Sequence, residues 1–177
     1  TKLPPVDGWP IVVMLHGTSG DKDVFYNARG WKELGQEENF ITVFPSSLRW
    51  CYIDEGKAKF NTKFVCGDLT DSLCSSENQN LVDDIAFFRK LIEIIDDTLN
   101  VNLNKVFLSG FSNGSVMTNK CAVEAGDLFS ATASSSGLLH LLDSITPQKR
   151  VPNWLILGTK DDRFFSPNFP TELPYGD

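Results

Sequence analysis

Five short apolar runs, each stopped by turn-forming residues, constrain the fold of this chain more than any other feature. Residues 11–15 (Ile-Val-Val-Met-Leu) end at His16-Gly17, and residues 41–44 end at Pro45. Residues 106–108 run into Ser109-Gly110, residues 129–133 carry Ser and Thr among their apolar positions, and residues 154–157 end at Gly158-Thr159. Runs this short, apolar at consecutive positions, are the pattern of strands buried on both faces of a parallel sheet. Helical patterns lie between them. Leu81, Ile85, Phe88, Ile92, Ile95 and Leu99 recur at alternating spacings of four and three, with Lys90, Glu93 and Asp97 on the other side. This predicts an amphipathic helix of about five turns. Asn80 is its expected N-cap, and Asp83 and Asp84 would meet the positive end of the helix dipole. A second helix is expected over 113–124, stopped by Gly126, and a third over 24–36. Strand alternating with helix predicts an α/β domain of three layers, with at least five strands in a mostly parallel sheet.

The length of 177 residues suits one domain, 1–177. A hydrophobic fraction of 41% suits a packed core and excludes disorder as the main state. The net charge of −7, with no basic cluster, argues against a nucleic-acid partner. No apolar run approaches the roughly 18 residues that span a bilayer, so no membrane partner is expected. His16 and His140 stand apart from each other and from the cysteines, so no metal site is expected. Cys51, Cys66 and Cys74 fall in a long polar stretch, 46–80, while Cys121 lies one helical turn from Met117 and should face the core. Four cysteines allow three full pairings. A disulfide, if formed, should use the cysteines of 46–80, which suits a secreted protein. The stretch exceeds ordinary connections and is therefore expected to be functional or disulfide-tied; this loop and Trp50 are candidate substrate contacts, and Trp50 reads equally as a packing residue.

Chemistry concentrates at Gly110-Phe111-Ser112-Asn113-Gly114, a G-x-S-x-G pattern between a buried strand and a helix. A serine nucleophile needs such a sharp turn to lift its hydroxyl above the sheet edge, with flanking glycines to let strand and helix approach. The helix that follows aims its free N–H groups at the charge developing on the substrate. Ser112 is the expected nucleophile, and Asn113 offers one oxyanion N–H. The loop Leu15-His16-Gly17-Thr18 after the first strand offers the second, from Thr18. His16 reads as a structural histidine bracing that loop. After the fifth strand, Asp161 in Gly158-Thr159-Lys160-Asp161-Asp162 has the right order to orient an imidazole, with Asp162 in reserve.

Three segments together resemble the secreted esterase family that includes polyhydroxybutyrate depolymerases, feruloyl esterases and acetyl esterases. They are Val13-Met14-Leu15-His16-Gly17, then Gly110-Phe111-Ser112-Asn113-Gly114-Ser115-Val116-Met117, then Leu157-Gly158-Thr159-Lys160-Asp161. Asn80-Leu81-Val82-Asp83-Asp84-Ile85-Ala86-Phe87 is similar to the family's N-V-D-D-V-x-F helix start, and Asp127-Leu128-Phe129-Ser130-Ala131 to its D-L-F-A-A strand entry. The resemblance spans residues 10–165 in consistent order. It implies an α/β-hydrolase fold, a Ser-Asp-His triad acting on carboxylic esters through an acyl-enzyme, secretion, and no cofactor. The ester could be small, polysaccharide-linked or a polyester. Two departures stand out: Leu157 replaces the histidine of the family's His-Gly-Thr, and no histidine follows Asp161, where the family has its base. The resemblance thus implies a chain incomplete at its C-terminus, with the base beyond Asp177, and one that starts almost at the first motif strand without the strands that precede it in the family. Recruitment of His140 and outright loss of the base are the alternatives; the last would leave a non-catalytic hydrolase-fold binding protein.

Overall fold

The computed structural model describes residues 3–28, 30–67, 72–77, 79–139, 146–147, 149–159 and 161. In chain order the elements are β1 (Trp9–Leu15), α1 (Lys22–Ala28), α2 (Trp31–Glu38), β2 (Ile41–Val43), β3 (Arg49–Asp54), β4 (Lys57–Thr62), α3 (Asp84–Thr98), β5 (Val101–Phe111), α4 (Asn113–Glu124), β6 (Ala131–Ser135) and β7 (Asn153–Ile156). Five strands form one sheet in the order β2-β1-β5-β6-β7, and every pair is parallel. Because all five run the same way, the loops leaving their C-terminal ends gather along one edge, where such sheets place their sites.

One face of the sheet carries the core. Ile11, Val13, Leu15, Val106 and Leu108 pack against Phe88 and Ile92 of α3 and Met117 and Cys121 of α4, all buried. Cys121 is fully buried, as its spacing from Met117 predicts. On the opposite face, Val12, Phe107, Ala133, Trp154 and Ile156 border a shallow apolar cavity of about 600 Å³, reached by Trp31 of α2. Strand β7 is exposed throughout, and Trp154 retains 71% of its accessible surface.

Several boundaries differ from expectation for identifiable reasons. The helix expected from Asn80 begins at Asp84, because Asp83 accepts the Ala86 N–H (3.1 Å) and caps the first turn. Leu81 matches the helical period but packs instead against Trp50 and Tyr52. The single helix expected over 24–36 is two helices, broken at Gly30, whose φ of 71° lies in the left-handed region. The strand expected over 129–133 begins at Ala131; Phe129 is buried in the core ahead of it. Strand β5 extends back through the polar Asn102, Asn104 and Lys105 to Val101, which pairs with Trp9. The polar stretch 46–80 contains an antiparallel hairpin, β3–β4, tied by a disulfide between Cys51 and Cys74. Cys66 and Cys121 are buried thiols outside that disulfide.

Candidate active site

Ser112 sits at the turn between β5 and α4 with φ 54° and ψ −118°, a conformation that L-residues adopt only under constraint. Three glycines supply that constraint. A Cβ at Gly110 would collide with the carbonyl oxygen of Gly114, and one at Gly114 would lie 2.5 Å from the Leu15 carbonyl oxygen. At Gly17 it would come within 3.1 Å of the Ser112 Cβ. Strand β5, helix α4 and the end of β1 therefore meet at backbone contact distance, and only this arrangement leaves room for the turn. The Ser112 N–H donates to Ser135 of β6 (2.9 Å), and the Thr118 hydroxyl donates to the Gly114 carbonyl (2.8 Å).

Ser112 and Thr18 line one cleft of about 550 Å³. Among the described residues, neither the Thr18 N–H nor the Asn113 N–H has a hydrogen-bond partner, the condition an anion-binding pair requires. The Asn113 side chain is buried and locked: its Oδ1 accepts the Phe64 N–H (2.7 Å) and its Nδ2 donates to the Phe64 carbonyl (3.2 Å). The loop carrying Thr18 is held as firmly. Ser19 N–H donates to the Thr62 carbonyl (2.9 Å), and Thr62 Oγ1 donates to the Gly20 carbonyl (2.5 Å).

His16 is buried behind this loop. Its Nε2 accepts the Ser47 N–H (3.0 Å), so Nδ1 bears the proton and donates to the Gly17 carbonyl (2.7 Å). Burial pushes its pKa below the ordinary histidine value, only partly opposed by the Gly17 carbonyl and by Asp21. Both nitrogens are committed to backbone, which leaves His16 a brace and no base. Asp161 follows β7 at the same sheet edge as Ser112, its N–H donating to the Gly158 carbonyl (3.0 Å). His140 and Asp162 lie outside the described residues.

The far wall of the cleft comes from the hairpin: Tyr52, Ile53, Asp54, Lys59, Asn61 and Lys63. Asn61 Nδ2 donates to the Tyr52 hydroxyl (3.1 Å), Lys59 pairs with Asp54 (2.6 Å), and the Lys63 ammonium stands 5.3 Å from the Tyr52 ring centre. Sequence reasoning points to the stretch 46–80 as a candidate contact but singles out none of these residues. The available signal was the alternation of charged and apolar residues around Glu55-Gly56, which reads as a hairpin with its turn. Of the two readings of Trp50, the packing one holds: it is buried, and its indole donates to the Lys63 carbonyl (2.9 Å). It supports the wall from behind.

No protein-family model matches the chain. A bifunctional acetylxylan esterase/xylanase from Neocallimastix patriciarum is 24% identical over 153 residues, covering 86% of this chain and 19% of that protein. A probable acetylxylan esterase A from Aspergillus clavatus is 25% identical over 72% of this chain and 37% of its own length. Feruloyl esterase B of Talaromyces funiculosus is 23% identical over 72% of this chain and 32% of its own. The chain thus spans less than two fifths of these relatives. The polyhydroxybutyrate depolymerase part of the resemblance stands on the motifs alone. Among solved structures, the acetyl xylan esterase from Aspergillus awamori superposes with a TM-score of 0.52 at 19% identity, covering 73% of this chain and 42% of that one. Arabidopsis thaliana SOBER1 gives 0.59 at 16% identity, over 86% and 75%. The fold is therefore that of the α/β-hydrolases, and in sequence the chain resembles the acetylxylan and feruloyl esterases.

Proposed function

We propose that this chain carries the nucleophile and oxyanion site of a secreted serine esterase acting on carboxylic esters. The strained Ser112 turn opening onto the cleft beside Thr18 carries the reading. Ser112 Oγ attacks the ester carbonyl while a histidine takes its proton. The Thr18 and Asn113 N–H groups hold the tetrahedral oxyanion, each worth roughly 3 kcal/mol in the transition state. Collapse expels the alcohol, protonated by the same histidine, and leaves an acyl-Ser112 ester that water hydrolyses. Asp161 holds the histidine in the required tautomer, and that histidine lies outside the described residues. The disulfide between Cys51 and Cys74 supports an oxidising, extracellular setting. The hydroxyl, amide and ammonium groups of the hairpin wall favour an ester whose alcohol is rich in hydroxyls, as in the acetylxylan named for several relatives.

A fluorophosphonate probe and a chromogenic acetate ester test the reading. Covalent labelling at Ser112, with both labelling and turnover abolished in Ser112→Ala, is the expected result. Hydrolysis that survives Ser112→Ala would reject it, and absence of both activities would favour a binding protein on the same fold. Activity that disappears in His140→Ala would identify that residue as the base.

A further inference from the structure

The motif Asp83-Asp84 at the start of α3 has no part in the chemistry above, yet Asp84 is a carboxylate buried to 8% exposure. Asp83 explains itself as the N-cap. Asp84 reaches away from its own helix: its Oδ2 accepts the Val65 N–H at 2.7 Å. The residue before Val65 is Phe64, whose N–H and carbonyl both grip the Asn113 side chain. The residue after it is Cys66, whose thiol lies 3.6 Å from the Asn113 carbonyl and 3.4 Å from Asn113 Nδ2. Lys120 of α4 closes the group by donating to the Val65 carbonyl (3.4 Å). Three consecutive residues of an irregular segment are thus pinned from α3 on one side and α4 on the other, and between them they hold the residue that follows the nucleophile.

We propose that Asp84 is a positioning residue for the Asn113 oxyanion donor, acting through the backbone of 64–66. The inference rests on the esterase reading for its kinetic consequence but not for its structural one. Segment 64–66 belongs to no strand, and the Phe64 and Val65 N–H groups are both taken by side-chain acceptors. Asp84 supplies the acceptor at its centre. Without it, the half-buried Val65 N–H loses its acceptor, and the segment must move to find another. Any such movement drags Phe64 and tilts the Asn113 peptide, whose N–H must point at an oxygen about 2.9 Å away to act. Burial raises the Asp84 pKa against the opposing Val65 N–H and Lys120, with Asp83 adding to the rise. A neutral acceptor of the same shape should therefore serve nearly as well as the carboxylate.

Asp84→Ala and Asp84→Asn separate this role from general packing. Amide hydrogen exchange requires no activity: in Asp84→Ala, exchange should rise about tenfold or more at Phe64 as well as at Val65, while α4 beyond Met117 keeps its protection. In Asp84→Asn both amides should stay within about threefold of the parent. With an active protein, Asp84→Ala should lower kcat and the Ser112 phosphonylation rate roughly tenfold with KM little changed, as loss of an oxyanion contact does. Increased exchange at Val65 alone, or a KM effect without a kcat effect, would overturn the proposal. A parent protein inert to the fluorophosphonate would reject the esterase reading and leave the exchange result to decide the clamp.

Discussion

The two sides of the cleft are built by different means. The Ser112 turn is enforced by backbone: Gly110 and Gly114 lie so close to neighbouring main chain that no side chain fits, and Gly17 packs tightly against Ser112 and Phe111. The hairpin wall opposite is enforced by cross-links. Cys51 is bonded to Cys74, its N–H donates to Gln79 Oε1 (2.7 Å), and its carbonyl accepts from Gln79 Nε2 (2.9 Å) and from the Cys74 N–H (3.0 Å). Steric enforcement leaves a local signature, small residues at fixed offsets from a serine. Cross-linking joins positions far apart in sequence, and its residues can be exchanged for others that reach equally well. The first side suits chemistry that must not vary, the second suits recognition that can be retuned.

The largest expected effect comes from attacking the steric side. Gly114→Ala sets a methyl 2.5 Å from the Leu15 carbonyl oxygen, and neither backbone can yield without breaking β1 or α4. A loss of about 4 kcal/mol is expected, together with Ser112 labelling. Urea unfolding and probe labelling check it; a stable, labelled variant would show that backbone contact is not what enforces the turn. Next comes the cross-linked side. Removing both cysteines (Cys51→Ala with Cys74→Ala) frees a loop closed over a sequence separation of 23 and should cost about 3 kcal/mol. Here labelling of Ser112 by a small probe should persist in the folded fraction, while KM for a hydroxyl-rich ester rises. Loss of labelling in that fraction would mean that the wall also holds the turn.

The smallest effect lies between the two sides, where His16 joins Gly17 to Ser47. Its folded pKa is depressed below the ordinary 6.5 by burial, so above that pH neither folded nor unfolded chain binds the proton and its contribution is complete. As the pH falls below about 6.5 the unfolded chain binds a proton that the folded chain refuses, and stability declines until the folded pKa is reached. The difference in unfolding free energy between the parent and His16→Gln should therefore shrink from pH 7.5 to pH 5.5. A constant difference would mean that folded His16 takes up the proton as readily as the unfolded chain, and so that the Ser47 N–H does not hold Nε2.

Legibility in the sequence follows the same division. The residues of the turn, the parallel strands and the α4 boundaries at Asn113 and Glu124 all follow from local pattern, because each is fixed by its own neighbours in the chain. The core position of Cys121 follows from helical spacing. What escaped depends on partners remote in sequence. Tyr52 and Asn61 become a polar wall only once the hairpin folds, and Leu81 leaves the helical period because Trp50 and Tyr52 offer it a better surface. Asp84 looks like an ordinary first-turn acid in the sequence; its bond to Val65 exists only because α3 packs beside 64–66. Asp161 is legible by order alone, as an acid after the fifth strand.

The grip of Phe64 on Asn113 has one further consequence, for biosynthesis. Asn113-Gly114-Ser115 is an N-x-S acceptor sequence for glycosylation. In the folded chain Asn113 is 6% exposed, with its side-chain oxygen and nitrogen both engaged, so a transferase finds it only on a chain that has not yet folded. Once sugar is attached, the nitrogen can no longer enter its pocket. In a secretory compartment the two events compete, and the state of that one nitrogen records the winner. An unmodified Asn113 in the mature protein marks a turn that closed before the transferase arrived; a glycan there marks a molecule in which the Ser112 turn never formed.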